Sequence, residues 1–425
     1  MGLESIYLII ILLAIFFDYF LASILSVLTI RSLDPALPDE FSDIYNSDSY
    51  ARSQSYTKDK TRISIISSTI SFFIGLSVIY FNLFNILDIY VRSFGYTSDI
   101  VNGLIFFALI AIISDMISMP FSVYNTFVIE ERYGFNKMSI SLFITDRLKG
   151  YVISMVIGAP VISLLIFFFN IEGAWIYAWI FMAFFSLAMQ PIFTTFIAPL
   201  FNKFSPIQEG PLRDKIHRYF DKVDFPVSKI EMMDGSKRSG HANAYFSGIG
   251  RTKRIAIFDT LLNNQSDDEV LAVIAHEVGH YKLKHITKGI VMGLLQSGAM
   301  LFLLSLFINN EPLSRVFGMD NLSVYTSFIF FSMLYSPIGM VLDFIGSYIS
   351  RKHEFEADKY SAETTGLPEN LISSLKNLSV DNLSNLTPHW FNVFINYSHP
   401  PVLERIRALK ELQIASSESG GAYGP

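Results

Sequence analysis

The chain has 425 residues, of which 51% are hydrophobic and only 16% are charged, and its mean hydropathy is +0.40. Soluble domains carry about 25% charged residues, so this composition excludes an ordinary soluble enzyme or a disordered chain and favours a multi-pass membrane protein. The net charge of −6 gives no sign of a nucleic-acid partner, and the absence of cysteine excludes disulfides, iron–sulfur clusters and cysteine-ligated zinc.

Seven apolar segments are long enough to cross a bilayer, which needs about 20 mostly apolar residues. The segments lie at roughly 5–30, 62–87, 103–129, 151–169, 174–200, 288–308 and 322–349. The first carries Glu4 where a signal peptide has basic residues, and its apolar run is too long for a signal peptide. We therefore expect transmembrane helices 1–5 within residues 1–200 and helices 6 and 7 within residues 288–349.

Lysine and arginine are concentrated in alternate connections between these segments. The first connection holds five basic residues and the third holds four, whereas the second and sixth hold one each and the fourth holds none. Under the positive-inside rule, the odd connections and the C-terminus are predicted to be cytoplasmic. The membrane would be the inner membrane in a bacterium or the endoplasmic reticulum in a eukaryote.

Two polar blocks on the predicted cytoplasmic side flank the last two spans, at 201–287 and 350–415. We expect them to fold together into one α+β domain. The first block predicts a helix over 212–223 and short strands over 228–233, 244–247 and 255–258, because glycines separate these runs. The second block is predicted to be mainly helical, and the small and polar residues 416–425 are predicted to form a flexible tail.

The strongest chemical motif is His276-Glu277-Val278-Gly279-His280. Residues four apart on a helix share a face, so both imidazoles can reach one metal ion while Glu277 lies beside it. This spacing is typical of zinc metalloproteases, in which the glutamate acts as general base on a water molecule. Chance alone would produce roughly 0.006 such motifs in a chain of this composition, which favours a metal site over two unrelated surface histidines.

A catalytic zinc usually has a third protein ligand. Glu354 and Asp358 are four residues apart, and we assign Glu354 as the third ligand and Asp358 as the carboxylate that orients a ligand histidine. His353 and Glu356 are rival ligands, and a solvated charged helix leaving the membrane is the alternative without a metal. The sequence thus predicts one Zn²⁺ per chain.

Together with the seven spans, the HExxH motif and Glu354–Asp358 resemble the type I CAAX prenyl protease family of integral-membrane zinc metallopeptidases. Further stretches that match this family are 129–137, 198–204, 238–246 and 397–406. The resemblance implies a mainly α fold in which seven helices enclose an intramembrane chamber, capped by a zincin-like metalloprotease domain. It also implies cleavage next to a C-terminal prenylated cysteine, with release of the last three residues.

The resemblance further implies roles for individual residues of the chain. His399 and Arg405 match family residues beside the scissile bond, and Asn243, within Ala242–Ala244, matches a strand that aligns the substrate. From the residues alone, His399 could donate to an oxyanion, because Pro400 and Pro401 would fix its position, or it could be an ordinary turn residue. From the residues alone, an asparagine such as Asn243 is more often a turn or edge-strand residue than a group that holds substrate.

Three alternatives to a prenyl-protein protease remain at this stage. The first is a broad-specificity zinc protease that clears damaged membrane proteins. The second is a zinc or proton transporter, although transporter sites usually lie at the bilayer midplane, and His276 and His280 lie outside the predicted spans. The third is a scaffold without activity. The expected partners are a peptide or protein substrate, possibly prenylated, and the lipid bilayer.

Overall fold

The computed structural model describes residues 2–171, 173–226, 229–248 and 253–420, and most of these residues are helical. Within the described residues, seven helices are long and apolar enough to cross a membrane. These membrane helices 1–7 are Leu3–Arg31, Ser47–Tyr80, Asp99–Tyr133, Ile140–Phe169, Ala174–Phe201, His285–Ser305 and Val324–Thr365. The predicted number of spans is confirmed, and the chain is a multi-pass membrane protein.

The second membrane helix differs most from its predicted bounds of 62–87. It begins at Ser47, so its first turns are polar, and it ends at Tyr80. Asn82 adopts a left-handed conformation with φ of 50° and starts a separate short helix, Leu83–Arg92. The apolar sequence runs on through this break, because hydrophobicity reports burial or lipid contact and does not report a change of chain direction.

Three membrane helices contain a π-helical segment. These segments are Asn125–Glu130, Ser154–Gly158 and Phe193–Ile197. Pro160 and Pro199 follow the second and third segments. Proline cannot donate a backbone hydrogen bond to the preceding turn, so the helix widens locally there.

The membrane helices are packed at their ends more than along their middles. Only between 6% and 17% of the residues in each most apolar window are buried. Two apolar cores lie at the helix ends remote from the polar blocks, and their buried members include Phe106, Phe169, Leu304, Phe317 and Tyr325. Two further cores lie at the opposite ends. One is built from the first polar block, and the other joins the second polar block to Phe41, Tyr45 and Tyr50. The helices therefore converge at both ends around a loosely packed middle.

A four-stranded sheet is the centre of the first polar block. The strands are β1 (Phe204–Pro206), β2 (Lys229–Met233), β3 (Ala244–Ser247) and β4 (Arg254–Phe258), in the order β1-β2-β4-β3. Strands β2 and β4 are parallel, and the other two pairs are antiparallel. The three predicted strands are confirmed. Strand β1 was not predicted, because three residues ending in proline carry no alternating pattern.

The remaining helices complete the two polar blocks. They are Pro211–Lys222, Asp259–Asn264, Asp267–Lys282, Pro368–Asp381, Trp390–Asn396 and Val402–Gly420, whereas the short helix Glu311–Val316 lies in the connection between membrane helices 6 and 7. The second block is mainly helical, as predicted. The last helix continues to Gly420, so residues 416–420 of the predicted tail are helical, and residues 421–425 lie outside the described residues. Flexibility of the tail stays a prediction. Adding residues to an existing helix is far easier than nucleating one, so a small and polar run can extend it.

Candidate active site

The HExxH residues lie on the helix Asp267–Lys282, called the motif helix below. Its start is fixed by a capping box, in which the Ser266 side chain accepts from the Glu269 backbone and the Ser266 N–H donates to Glu269 Oε2 at 2.7 Å. Three acidic residues in the first turn complement the partial positive charge of the helix N-terminus. These local interactions hold the motif at fixed positions along the helix.

The motif helix packs tightly against membrane helix 7. A Cβ added to Gly279 would lie 3.2 Å from both Ala357 Cα and Tyr360 Cβ, so the glycine inside the motif permits this close approach. The Ser361 hydroxyl donates to the Ala272 carbonyl at 2.7 Å and ties the two helices together. This contact brings the carboxylates of membrane helix 7 opposite the two motif histidines.

His276, His280 and Glu354 converge on one point. The two Nε2 atoms are 3.1 Å apart, and Glu354 oxygens lie 3.4 Å from His276 Nε2 and 3.2 Å from His280 Nε2. Tetrahedral ligands at about 2.0–2.1 Å from zinc would be separated by about 3.3 Å. Within the described residues, the buried Glu354 Oε2 has no hydrogen-bond partner. The three side chains therefore fit a metal ion.

Each histidine of this group has a partner on its other ring nitrogen. His276 Nδ1 lies 2.9 Å from Asp358 Oδ1. His280 Nδ1 lies 3.2 Å from His285 Nδ1, and His285 Nε2 lies 2.9 Å from Glu356 Oε2. Such partners fix the tautomer and orientation of metal-ligating imidazoles. His285 was not predicted as part of the site, although its place five residues after His280 was a usable signal.

The rival ligands belong to a second group beside the first. His353 stacks on His285 with centroids 3.9 Å apart and an angle of 8° between the planes. In two imidazole rings stacked face to face, the nitrogen lone pairs lie in two separate parallel planes. The two rings therefore cannot both direct a lone pair at the same ion. Glu356 contacts His285 and is not part of the group that contains Glu354.

Glu277 and His399 border the ligand group. Burial raises the pKa of Glu277, while His276 and His280 oppose the rise, and the backbone of Phe246 also hydrogen-bonds to this carboxylate. His399 Nε2 lies 3.4 Å from Glu354 Oε1, and its Nδ1 is 2.9 Å from the Ser398 hydroxyl. Because the His399 side chain is 64% exposed, it is accessible to a molecule bound at the ligand group.

Arg405 lies behind the ligands. Its Nε and Nη2 atoms donate to the two Asp358 oxygens at 2.7 and 2.6 Å, and Nη1 lies 3.5 Å from Glu354 Oε2. The side chain is only 12% exposed. Burial would lower the pKa of Arg405, but Asp358 and Glu354 outweigh it and raise this pKa, so the guanidinium stays charged. Its contacts hold two carboxylates in place, and the position beside the scissile bond that the family resemblance implies for Arg405 stays a prediction.

Strand β3 forms the free edge of the sheet next to the motif helix. The Asn243 carbonyl accepts from Phe258 at 3.0 Å, so the backbone groups of Ala242 and Ala244 face away from β4. The Ala244 N–H already donates to the Asn243 side chain at 2.8 Å. The Asn382 side chain accepts from the Ala242 N–H at 2.9 Å and donates to its carbonyl at 3.1 Å.

Asn382 therefore occupies the place that a neighbouring strand would take beside Ala242. In the predicted substrate-binding run, the backbone groups of Ala242 are therefore already hydrogen-bonded. A substrate strand can pair only with the residues that follow Ala242. Asn382 was not predictable as part of this edge, because it lies 140 residues further along the chain than Ala242.

We expect Asn382→Leu to raise KM for a peptide substrate severalfold with a smaller change in kcat. The substitution leaves both polar groups of the Ala242 backbone unpaired, which costs about 1–3 kcal/mol and loosens the edge strand. Steady-state kinetics measures both constants. Asn263→Leu, at an exposed asparagine, is the matched control. An unchanged KM in Asn382→Leu would contradict a role in aligning substrate.

We also expect metal binding to release about one proton at neutral pH. Burial would lower the pKa of His276, but its contacts with Asp358 and Glu354 raise it to about 9. The metal-free site therefore holds a proton below about pH 9, whereas a metal requires neutral imidazole. The affinity for Zn²⁺ should rise with pH up to that value.

Calorimetric titration with Zn²⁺ in two buffers of different ionisation enthalpy measures this proton release. Asp358→Asn, which removes the main partner of the protonated ring, should release less. Equal heats in both buffers at neutral pH would show that His276 carries no proton before the metal binds.

Comparison with known proteins gives a consistent result over almost the whole chain. Residues 26–203 match the family described as CAAX prenyl protease N-terminal, five membrane helices. Residues 206–413 match peptidase family M48. Both ligand histidines, the candidate base and Glu354 lie within the second match.

Curated relatives and a solved structure agree with these matches. The chain is 34% identical to CAAX prenyl protease 1 homolog of Homo sapiens, covering 89% of each chain. It is 33% identical to CAAX prenyl protease 1 of Saccharomyces cerevisiae, covering 89% of this chain and 88% of that protein. The crystal structure of S. mikatae Ste24p superposes with a TM-score of 0.88 at 31% identity, covering 95% of this chain and 98% of that one.

Proposed function

Because this chain belongs to the CAAX prenyl protease 1 family of M48 metallopeptidases, we propose that it removes the C-terminal tripeptide next to a prenylated cysteine. One observation carries this proposal: two histidines and Glu354 are spaced as the ligands of a single metal ion, with Glu277 beside them. A free strand edge lies next to this group.

The metal is Zn²⁺, one ion per chain, held by His276, His280 and Glu354. Two imidazole nitrogens and one carboxylate form a ligand set typical of catalytic zinc, which leaves a fourth position open. A zinc ion bound there would supply Lewis-acid activation of a water molecule and of the scissile carbonyl. Asp358 and His285 keep the two imidazole rings in the orientation that binding requires.

Glu277 acts as the general base and then as the general acid. It takes a proton from the attacking water and returns it to the leaving amine. Because burial raises the pKa of Glu277, the carboxylate is a stronger base than an exposed glutamate. The exposed His399 ring donates to the developing oxyanion, while Arg405 fixes Asp358 and Glu354 behind the ligands.

The substrate backbone adds to the free edge of β3 as an extra strand. Strand β3 lies at the end of the sheet, and the Ala244 and Phe246 backbone groups are on its open side. Phe246 also hydrogen-bonds to Glu277, so a peptide along this edge passes the base directly. Asn382 marks the end of the available edge at Ala242.

A chamber between the membrane helices gives a prenylated peptide access from the bilayer. The low burial along the helix middles, with apolar cores at both ends, supports an enclosed and loosely packed space. The alternating Lys and Arg content of the connections supports a cytoplasmic position for the metal site. The host membrane is then the endoplasmic reticulum in a eukaryote or the inner membrane in a bacterium.

The test compares two peptides that differ only by a farnesyl group on the cysteine. Purified full-length protein, the Glu277→Gln variant and a chelator-treated sample are incubated with each peptide, and products are identified by mass spectrometry. We expect release of the last three residues from the farnesylated peptide alone, lost in both controls.

Two other outcomes would contradict the removal of a tripeptide next to a prenylated cysteine. Zinc-dependent cleavage of both peptides at scattered positions would replace prenyl-protein processing by broad quality-control proteolysis with the same chemistry. Binding of zinc without cleavage of either peptide would contradict the proposed reaction and would favour a transporter or a scaffold.

A further inference from the structure

A cavity that is not lined by the metal ligands lies where the membrane helices meet the sheet. Its volume is about 710 Å³, and its walls come from membrane helices 4 and 5, from their connection to β1, and from β2 and the start of β4. None of the residues assigned to the metal site or to catalysis lines it. The cavity therefore requires a separate explanation.

The charge of this cavity is strongly positive. Two carboxylates and six basic side chains line it, and the basic ones are Lys149, Lys203, Lys229, Lys237, Lys253 and Arg254. This concentration is unusual in a chain whose net charge is −6. Among the six, Lys203, Lys229 and Lys237 are exposed. Like charges gathered in one concavity repel each other, which favours an anionic ligand that neutralises them.

The two acidic residues in the lining already have partners. Glu231 Oε2 lies 3.1 Å from Arg254 Nη1. Asp234 Oδ1 accepts from the Lys203 backbone N–H at 2.7 Å and therefore stabilises the turn before β1. Lys253 donates to the Tyr281 hydroxyl at 2.7 Å, and Lys149 donates to the Leu200 carbonyl at 2.8 Å. The excess positive charge at the cavity is therefore carried mainly by the exposed Lys203, Lys229 and Lys237.

Arg254 gives an independent indication of a ligand. The residue is only 6% exposed, and its guanidinium lies 4.1 Å from the centre of the Phe204 ring. Within the described residues, its buried Nη2 atom has no hydrogen-bond partner. Buried donors are almost always paired, so a missing acceptor is expected at the cavity. The planar guanidinium fork matches phosphate geometry.

The cavity also borders an apolar surface of membrane helix 5. Thr194, Thr195 and Leu200 line it, at the π-helical segment and the turn that follows. On the same stretch, Phe193, Phe196 and Leu200 are 50%, 67% and 52% exposed. An amphipathic ligand would place its charged group among the lysines and its chains along these apolar side chains.

We propose that this cavity binds the phosphate of an anionic ligand, and that the ligand is a membrane phospholipid of the adjoining leaflet. Basic side chains at the membrane surface attract anionic headgroups, each contributing a modest and salt-dependent share of the affinity. This proposal is independent of the proteolytic reaction, because the cavity and the metal site share no residue.

Native mass spectrometry of the full-length protein tests the proposal. Protein in a neutral detergent is titrated with dioleoyl phosphatidylglycerol, with dioleoyl phosphatidylcholine and with soluble glycerol 3-phosphate. Wild-type protein should bind the anionic lipid at least about tenfold more tightly than the zwitterionic lipid. The double variant Lys203→Glu/Lys237→Glu should lose about tenfold in affinity for the anionic lipid.

The matched control is Lys58→Glu/Arg62→Glu, which changes the chain charge equally at two exposed positions in the polar first part of membrane helix 2. This control should keep the anionic-lipid affinity of wild type. Equal binding of the two lipids, or equal losses in the two double variants, would overturn the site. Binding of glycerol 3-phosphate as tight as that of the anionic lipid would retain a phosphate site and reject the lipid as its ligand.

Discussion

Glu277→Gln is expected to lower kcat by about 10²–10⁴-fold while the metal content stays at the wild-type level. Glutamine cannot take a proton from water, and Glu277 is not among the three side chains that converge as ligands. Single-turnover cleavage of the farnesylated peptide and metal analysis of the purified variant measure the two quantities. Loss of the metal together with the activity would contradict the role assigned to Glu277.

The stability of this variant supplies a check on misfolding. Burial raises the folded-state pKa of Glu277, so the ionised carboxylate makes the folded state less stable above the ordinary glutamate pKa. Glutamine removes that cost, and the variant should unfold at the same temperature as wild type or higher. On acidification, wild-type activity should be lost at a higher pH than it would be if the general base had the pKa of an ordinary glutamate. Glu363→Gln, at an exposed position of the same domain, should change neither property.

Arg405→Met is expected to destabilise the folded protein by roughly 3–5 kcal/mol and to lower zinc affinity about 10–100-fold. Arg405 donates two short hydrogen bonds to Asp358 and lies near Glu354, so its loss leaves two buried carboxylates without their cation. Asp358 would then hold the His276 ring less firmly. Thermal unfolding in detergent and competition with a zinc chelator measure the two effects.

Two further variants separate this role from a general effect of removing a charge. Arg407→Met removes an exposed arginine two residues away and should leave stability and zinc affinity nearly unchanged. Arg405→Lys keeps the charge but loses the two-pronged contact with Asp358, and it should recover only part of the affinity. Wild-type zinc affinity in Arg405→Met would mean that the guanidinium does not position the ligands.

Several features of the chain follow from local sequence alone. Seven spans were predictable because about 20 apolar residues in a row have few other stable environments. The motif helix was predictable because its cap, its first-turn acids and the four-residue spacing of His276 and His280 are all local. Strands β2, β3 and β4 were predictable because glycines bound short apolar runs.

Other features were decided by contacts between distant parts of the chain. Glu354 was chosen over His353 and Glu356 from spacing, and the structure brings Glu354 to the two histidines because Gly279 lets membrane helix 7 approach. The partners of Arg405 were not predictable, because Asp358 lies 47 residues away and only packing brings the two together. The same holds for Asn382 at the start of the edge strand.

The number of membrane spans, the metal motif and the chemistry that these residue types allow are thus encoded locally in the sequence. Only the tertiary structure decided which side chains meet: His285 behind His280, Arg405 behind Asp358 and Glu354, and the basic cavity around Arg254. The physical reason is that helix caps, apolar runs and i, i+4 spacing are encoded by neighbours in sequence. Contacts between distant segments depend on how whole elements pack, which no short pattern records.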